Sequence, residues 1–276
     1  MLRAFAEVDV FTAEPYRGNP LAVVLDGTGL STEQMQQFAN WTNFSETTFL
    51  LPPTDPAADY LVRIFTTTME LPFAGHPTLG SCHAWLANGG TPQHSDRVVQ
   101  QCGVGLVSIA RGEHGLAFAA PPLLRDGPLD DATLAAATDA LGIDPAAVVD
   151  SAWIDNGPGW LGIVLASADD VLAIKVRSSD LKIGVVGAYP PDSPFAYEVR
   201  AFFPADGITF EDPVTGSLNA SAAQWLIGSG RLTAPYIVSQ GTAMGRAGRV
   251  RITTDADGQV WVGGEVVTCV SGTVDL

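Results

Sequence analysis

The amino-acid sequence is written twice. Val62-Arg63-Ile64-Phe65 reappears as Val199-Arg200-Ala201-Phe202, an offset of 137, and Pro77-Thr78-Leu79-Gly80-Ser81 reappears as Pro213-Val214-Thr215-Gly216-Ser217, an offset of 136. Upstream, the Gly18-Asn19-Pro20 run that leads into Leu21-Ala22-Val23-Val24 resembles the stretch from Gly157-Pro158 to Ile163-Val164. Downstream, Gln101-Cys102-Gly103 resembles Gln240-Gly241. Four matches in one order at nearly constant spacing indicate a duplicated domain. A solenoid unit would recur every roughly 20–50 residues. The halves are expected to span 1–118 and 119–276, and the last strand can return to the N-terminal half. They meet near Ala119-Ala120-Pro121-Pro122, where consecutive prolines continue neither a helix nor a central strand.

Each half reads as α+β. Strands are expected at Ala6–Val10, Ala22–Leu25, Tyr60–Phe65 and Gly105–Ala110 in the first half. In the second they fall at Gly162–Leu165, Tyr197–Phe203, Val250–Thr253 and Val260–Val267. Ser31-Thr32-Glu33-Gln34 is a capping-box start for a helix to about Asn40, and Asp130/Asp131 start another that Gly142 stops after Leu141. With 46% hydrophobic and 16% charged residues, the chain has ample material for a core.

Charge narrows the function. Thirty Asp and Glu against fourteen Lys and Arg leave a net charge of -16, and the only lysines are at 175 and 182. Such a surface repels phosphate backbones and anionic lipid, so neither nucleic acid nor membrane is expected as a partner. The first eleven residues carry Arg3, Glu7 and Asp9 where a signal peptide needs an apolar run, and no run is long enough to span a bilayer. Three widely spaced cysteines (Cys82, Cys102, Cys269) with no C-x-x-C pair suit buried thiols in a reducing compartment, so a cytoplasmic location is expected.

Two further helices carry the functional argument. Thr78–Asn88 and Gly216–Ile227 are rich in Ala, Leu and small residues and are apolar all round, so each is expected to lie at the centre of its own sheet. Each follows a Pro-containing turn, Gly75-His76-Pro77 and Glu211-Asp212-Pro213, and the repeat offset aligns His76 with Asp212. The free N–H groups of two such helix starts, facing each other across a pseudo-twofold interface, would make a site for a small carboxylate. No glycine-rich nucleotide loop and no metal-ligand cluster accompanies them, so no cofactor and no metal are expected.

Gly18-Asn19-Pro20, Asn43-Phe44-Ser45-Glu46-Thr47-Thr48-Phe49, Ala74-Gly75-His76-Pro77-Thr78-Leu79-Gly80 and Glu211-Asp212-Pro213-Val214-Thr215-Gly216-Ser217 run in order over essentially the whole chain. In these the sequence resembles the PhzF-like (phenazine-biosynthesis) family of the diaminopimelate-epimerase superfamily. The resemblance implies an α+β fold of two pseudo-symmetric halves, each a curled, barrel-like β-sheet around a central helix, with the active site in the cleft between them. It places the family's acid/base on Glu46, its histidine on His76, its aspartate on Asp212 and its serine on Ser217. Gly75 and Gly216 match the glycines that lie against substrate. The epimerase branch uses two cysteines at the corresponding turns, where this sequence has none. A homodimer is implied by the resemblance alone.

The expected function is that of a cofactor-independent isomerase moving a proton, and with it a double bond, on a small carboxylate-bearing metabolite. The alternatives are an amino-acid epimerase or racemase without the two-cysteine mechanism and a non-catalytic small-acid binder. Glu46 would remove and return the proton, an apolar setting raising its carboxyl toward neutrality. His76 and Asp212 would orient polar groups of the substrate, and the helix starts at Gly75 and at Gly216-Ser217 would hold its carboxylate. His83 is expected in a core or an interface, His94 and His114 on surface loops, and Gly245-Arg246-Ala247-Gly248 in a turn.

Overall fold

A computed structural model describes residues 1–205 and 207–276. In chain order the first elements are β1 (Leu2–Val10), β2 (Asn19–Val24), α1 (Thr32–Thr42), β3 (Thr47–Leu51), β4 (Tyr60–Phe65) and β5 (Glu70–Leu71). They continue with α2 (Gly75–Ala87), β6 (Arg97–Cys102), β7 (Gly105–Gly112) and β8 (Gly115–Ala119). Then come β9 (Arg125–Gly127), α3 (Asp131–Leu141), β10 (Asp150–Asp155), β11 (Trp160–Leu165), α4 (Ala168–Ala173), β12 (Lys182–Ala188) and β13 (Tyr197–Ala205). The last are β14 (Ile208–Asp212), α5 (Gly216–Gly228), β15 (Tyr236–Gln240), β16 (Gly248–Thr254), β17 (Val260–Gly264) and β18 (Val266–Asp275). Two compact units result: Met1–Ala119 with Gly263–Leu276, and Ala120–Val262.

Strand pairing displays the duplication directly. In the first unit, β1–β2 is antiparallel, β2–β3 parallel, β3–β4 antiparallel, β4–β6 parallel and β6–β7 antiparallel. The second unit repeats that series from β10: β10–β11 antiparallel, β11–β12 parallel, β12–β13 antiparallel, β13–β15 parallel and β15–β16 antiparallel. In both, a short strand (β5 or β14) folds back on the fourth strand of the series. The first sheet is extended by β18 on β1 and by β8 on β7, and the second by β9 on β10.

The sheets curl because of what their helices bury. Helix α2 packs against β1, β2, β3, β6, β8 and β18, strands from both ends of its sheet, which is possible only if the sheet wraps around it. Gly80 of α2 lets the strands approach: a Cβ there would lie 2.6 Å from a Leu21 methyl and 3.0 Å from a Val10 methyl. In α5 the strands yield instead, with Gly162 of β11 against the Trp225 ring and Gly184 of β12 against Leu218. The outer faces are covered too. Met35, Phe38 and Ala39 of α1 pack on Val24, Phe49 and Phe65. Ala137, Ala140 and Leu141 of α3 join a core with Leu161, Ile163, Ile183 and Phe202. Strands sandwiched in this way read as unbroken apolar runs, and Leu21-Ala22-Val23-Val24 is fully buried.

Local signals act as read. Ser31 and Gln34 form both halves of the capping box, Asp130 accepts from the Thr133 N–H, and Gly142 takes the left-handed conformation that ends α3. Other expectations need correction. The Val260–Val267 strand breaks at Glu265 into β17 and β18. Helix α2 begins at Gly75 rather than Thr78, so Gly75, His76 and Pro77 form its first turn, where proline loses no helical hydrogen bond.

That shift corrects the repeat register. The β4–β5 hairpin pairs Phe65 with Glu70, and the β13–β14 hairpin pairs Phe202 with Glu211. The second hairpin is four residues longer, so the offset of 137 becomes 141 beyond it. Pro213 then matches Pro72, Asp212 matches Leu71, and the residue matching His76 is Ser217, both second in 13-residue helices. The offset of 136 had aligned prolines that occupy different structural positions. His83, expected in a core or an interface, is only partly buried and contacts Thr268 at 2.9 Å.

A close backbone approach occurs at Gly187 of β12, where a Cβ would lie 2.1 Å from the carbonyl oxygen of Ser167, the N-cap of α4. Gly187→Ala is expected to lower the unfolding free energy by about 1–3 kcal/mol, read from urea unfolding. An unchanged midpoint would show that α4 is free to move off the strand.

Candidate functional site

Glu46 is placed by the way α1 ends and β3 begins. Asn43 caps α1 in the left-handed conformation (φ 58°), turning the chain so that Glu46 directly precedes β3. The two threonines after it anchor that strand start. The Thr47 hydroxyl lies 3.2 Å from that of Thr42 at the end of α1, and the Thr48 hydroxyl receives the Ser81 hydroxyl of α2 at 2.9 Å. Glu46 is thereby held beside the first turn of α2, and its Oε2 lies 3.5 Å from Nε2 of His76. The carboxylate side chain is 17% exposed and the imidazole 6%.

The pair is not a closed ion pair. Burial pushes the His76 imidazole down to about 3, and a hydrogen bond to the Pro20 backbone offsets this only in part. His76 is therefore neutral near pH 7, with one ring nitrogen donating and the other accepting. Its Nδ1 lies 3.4 Å from the Asn19 side-chain nitrogen, so the first residue of β2 holds the ring. At 3.5 Å the Glu46 contact is longer than a formed hydrogen bond, and catalytic contacts commonly have such spacing before substrate arrives. A carboxyl beside an imidazole that stays neutral can exchange a proton with a third group while the imidazole remains a polar neighbour.

The second unit builds a similar helix start from different side chains. Ser217 is the second residue of α5; its hydroxyl accepts from the Trp160 indole N–H at 3.0 Å, and its carbonyl accepts from Asn156 Nδ2 at 2.9 Å. Trp160 opens β11 as Asn19 opens β2. Asp212 closes β14, and its Oδ2 accepts the Thr215 hydroxyl proton at 2.6 Å. Gly75 and Gly216 are both buried first residues of their helices. Neither N-cap, Ala74 or Thr215, caps its helix with a side chain, which leaves both starts suited to an anion.

Glu46, His76 and Gly75 thus come together in the first unit, and Asp212, Gly216 and Ser217 in the second. Sequence reasoning did not assign Asn19, Trp160 or Asn156 a part. The Gly-Asn-Pro run was a signal for Asn19; nothing local marked the other two. Cys82 is fully buried in α2, and burial pushes its thiol up to about 12, which keeps it from acting as a thiolate. Gly245 takes a left-handed conformation beside Arg246, in the turn expected there, and His94 and His114 are exposed. Among the described residues there is no group of three or more His, Cys, Asp or Glu that could hold a metal ion, and no helix is long and apolar enough to cross a membrane.

Because His76 is held neutral, the native state refuses a proton that the unfolded chain accepts below pH about 6.5. The resulting stability is complete above that pH and is lost as pH falls toward about 3, at up to about 1.4 kcal/mol per unit. Urea unfolding of the wild type and of His76→Asn between pH 8 and pH 4 should show the wild type losing ground to the variant as pH drops. A charged His76–Glu46 pair would give the opposite sign.

The chain matches the model of the phenazine biosynthesis-like protein family over residues 8–272. It is 36% identical to antisense-enhancing sequence 1 of Schizosaccharomyces pombe, covering 98% of this chain and 97% of that one. It is 32% identical to the trans-2,3-dihydro-3-hydroxyanthranilate isomerase of Pseudomonas fluorescens, covering 98% of each. Its fold superposes on a phenazine biosynthesis protein of the same family from Bacillus anthracis with a TM-score of 0.84 over 100% of both chains, at 22% identity. The family and its isomerase-named relatives support an isomerase or epimerase activity.

Proposed function

We propose, for a chain that belongs to the phenazine biosynthesis-like protein family, that it is a cofactor-independent isomerase shifting a proton on a small carboxylate-bearing metabolite. The observation that carries this reading is the Glu46–His76 pair: a partly buried carboxyl 3.5 Å from an imidazole that burial keeps neutral. Glu46 takes a proton from a carbon made acidic by an adjacent unsaturated or carboxyl group and returns it to another carbon of the same molecule. The double bond moves with the electron pair. His76, held neutral, keeps its Nε2 toward Glu46 as the carboxyl gains and loses the proton, so Glu46 has a polar neighbour in both half-reactions.

Asp212 and Ser217 are proposed to hold polar groups of the substrate, and the N–H groups at Gly75 and Gly216 to receive its carboxylate and the negative charge that develops during transfer. The Pseudomonas fluorescens relative is named for an isomerisation of a hydroxylated dihydro-anthranilate. A carboxylated, partly unsaturated ring is accordingly the first substrate class to try.

The test is uptake of solvent deuterium. Dihydroaromatic, amino and hydroxy acids are incubated in heavy water and followed by mass spectrometry and ultraviolet absorbance. Wild type should incorporate deuterium with an absorbance change, and Glu46→Gln should lose about 100-fold or more of the rate. Cys82→Ala, and wild type dialysed against a chelator, should retain it. Exchange that survives Glu46→Gln removes Glu46 as the base. Exchange without an absorbance change would indicate epimerisation, and saturable binding without exchange a binding protein.

A further inference from the structure

The turn that carries Asp212 is held from behind by a side chain with no part in the proposed chemistry. Gln240, the last residue of β15, is fully buried, and both ends of its amide serve this turn. Its Oε1 accepts from the Thr215 backbone N–H at 2.9 Å and from Asn219 Nδ2 at 2.8 Å. Its Nε2 donates to the Asp212 carbonyl at 3.1 Å and to the Thr215 hydroxyl at 3.0 Å. A backbone N–H only donates and a carbonyl only accepts, so the orientation of this amide is not arbitrary.

That orientation sets the direction of the next hydrogen bond. The Thr215 hydroxyl receives a proton from Gln240, and its own single proton goes to Asp212 Oδ2 at 2.6 Å. A one-way chain therefore runs Gln240 → Thr215 → Asp212 and ends on an oxygen that must accept. The first unit supplies a contrast. There Gln100 donates to the Thr78 hydroxyl at 3.0 Å and accepts from the Tyr60 hydroxyl at 2.9 Å, and the position matching Asp212 is Leu71. A Gln–Thr hydrogen bond occurs in both units but at different places, on Thr78 inside α2 and on Thr215 just before α5, and the second continues to the Asp212 carboxyl.

We propose that Thr215 and Gln240 are positioning residues that hold Asp212 as an ionised carboxylate in one rotamer, so that it receives hydrogen bonds from bound substrate rather than giving them. This rests on the role proposed for Asp212, and it specifies what Asp212 can recognise: a donor such as an amine, an ammonium or a hydroxyl. A second carboxylate or a carbonyl oxygen would meet an acceptor.

The charged side chains described near the turn include Glu211, Arg200, Arg246 and Arg249. Glu211 is engaged by Arg200 through both carboxylate oxygens. Arg246 brings its Cβ to the same face of Gly241 as the Pro213 carbonyl, and Arg249 donates to the Ser239 hydroxyl. Helix α5 carries no titratable group. All of these persist when Thr215 is changed, so a difference between Thr215 variants reports on the hydroxyl.

The experiment follows the Asp212 carboxyl itself by carbon-13 NMR titration of protein labelled at aspartate, the signal being assigned by its loss in Asp212→Asn. The T215V midpoint should lie above wild type by about one pH unit, the effect of losing one hydrogen bond to a charged acceptor. T215S restores the hydroxyl and should restore the midpoint, which loss of packing alone would not predict. If T215V does not fold, T215A removes the same donor without added bulk and takes its place. Equal midpoints in wild type and in the variant lacking the hydroxyl overturn the proposal. The titration needs no substrate, so it stands or falls apart from the deuterium assay: wild type without exchange would sink the isomerase reading while leaving the Asp212 result intact.

Discussion

Burial of α2 and α5 on all sides is the constraint from which the rest of each unit follows. A helix inside a curled sheet can offer no charged face, and neither α2 nor α5 has an acidic first turn or a basic last turn. Their side chains are small or apolar along the length, and glycines on helix or strand bring the two into contact. What polarity such a helix can show is concentrated in its first turn, where the N–H groups have no partner one turn back. The free N–H groups of each helix are therefore presented at one end by the packing that stabilises the unit. Gly75-His76 and Gly216-Ser217 occupy that end.

A second feature fixes how the chain enters that first turn. In each unit an arginine on the fourth strand of the series makes a two-pronged ion pair with a glutamate on the short strand that follows. Arg63 pairs with Glu70, and Arg200 with Glu211 at 2.9 and 2.7 Å. The guanidinium also lies over an aromatic two residues on, Phe65 or Phe202. The second pair is largely buried, at 8% and 13% exposure. A buried ion pair gains little over a well-packed apolar one, but removing one partner costs several kcal/mol, so its consequence here is specificity of register. The pairing holds across hairpins of different length, and the helix starts at the same distance beyond the glutamate in both units.

That conserved distance explains what the sequence disclosed and what it hid. The duplication, the Ser31–Gln34 capping box and the apolar central helices are local or periodic signals and were legible. The motif around Glu46 was legible as a family likeness, and its two threonines have a physical purpose in tying β3 to α1 and α2. The four-residue difference between hairpins was not legible, because Pro77 and Pro213, each beyond its hairpin, gave a plausible but false register. It takes strand pairing to show that His76 corresponds to Ser217 rather than to Asp212. Strand β12 was also hidden: Lys182-Ile183-Gly184-Val185-Val186-Gly187-Ala188 places glycines where Leu218 and the Ser167 carbonyl press in, and glycine weakens a strand signal read from one sequence. Gln240 entered the sequence reading only as a repeat match, since its importance lies in four hydrogen bonds to groups up to 28 residues distant.

With the register corrected, divergence of the two copies has a chemical logic. One scaffold position, the second residue of the central helix, holds an imidazole in the first unit and a hydroxyl in the second. Each is oriented by the opening residue of the second strand in its series, Asn19 or Trp160. The two orienting groups have different consequences. The Asn19 amide nitrogen approaches Nδ1 of the His76 imidazole, whose Nε2 faces Glu46. The Trp160 indole can only donate, so Ser217 must accept from it, and its own proton is left to point elsewhere. The same scaffold position thus faces a carboxyl in the first unit and a fixed indole donor in the second.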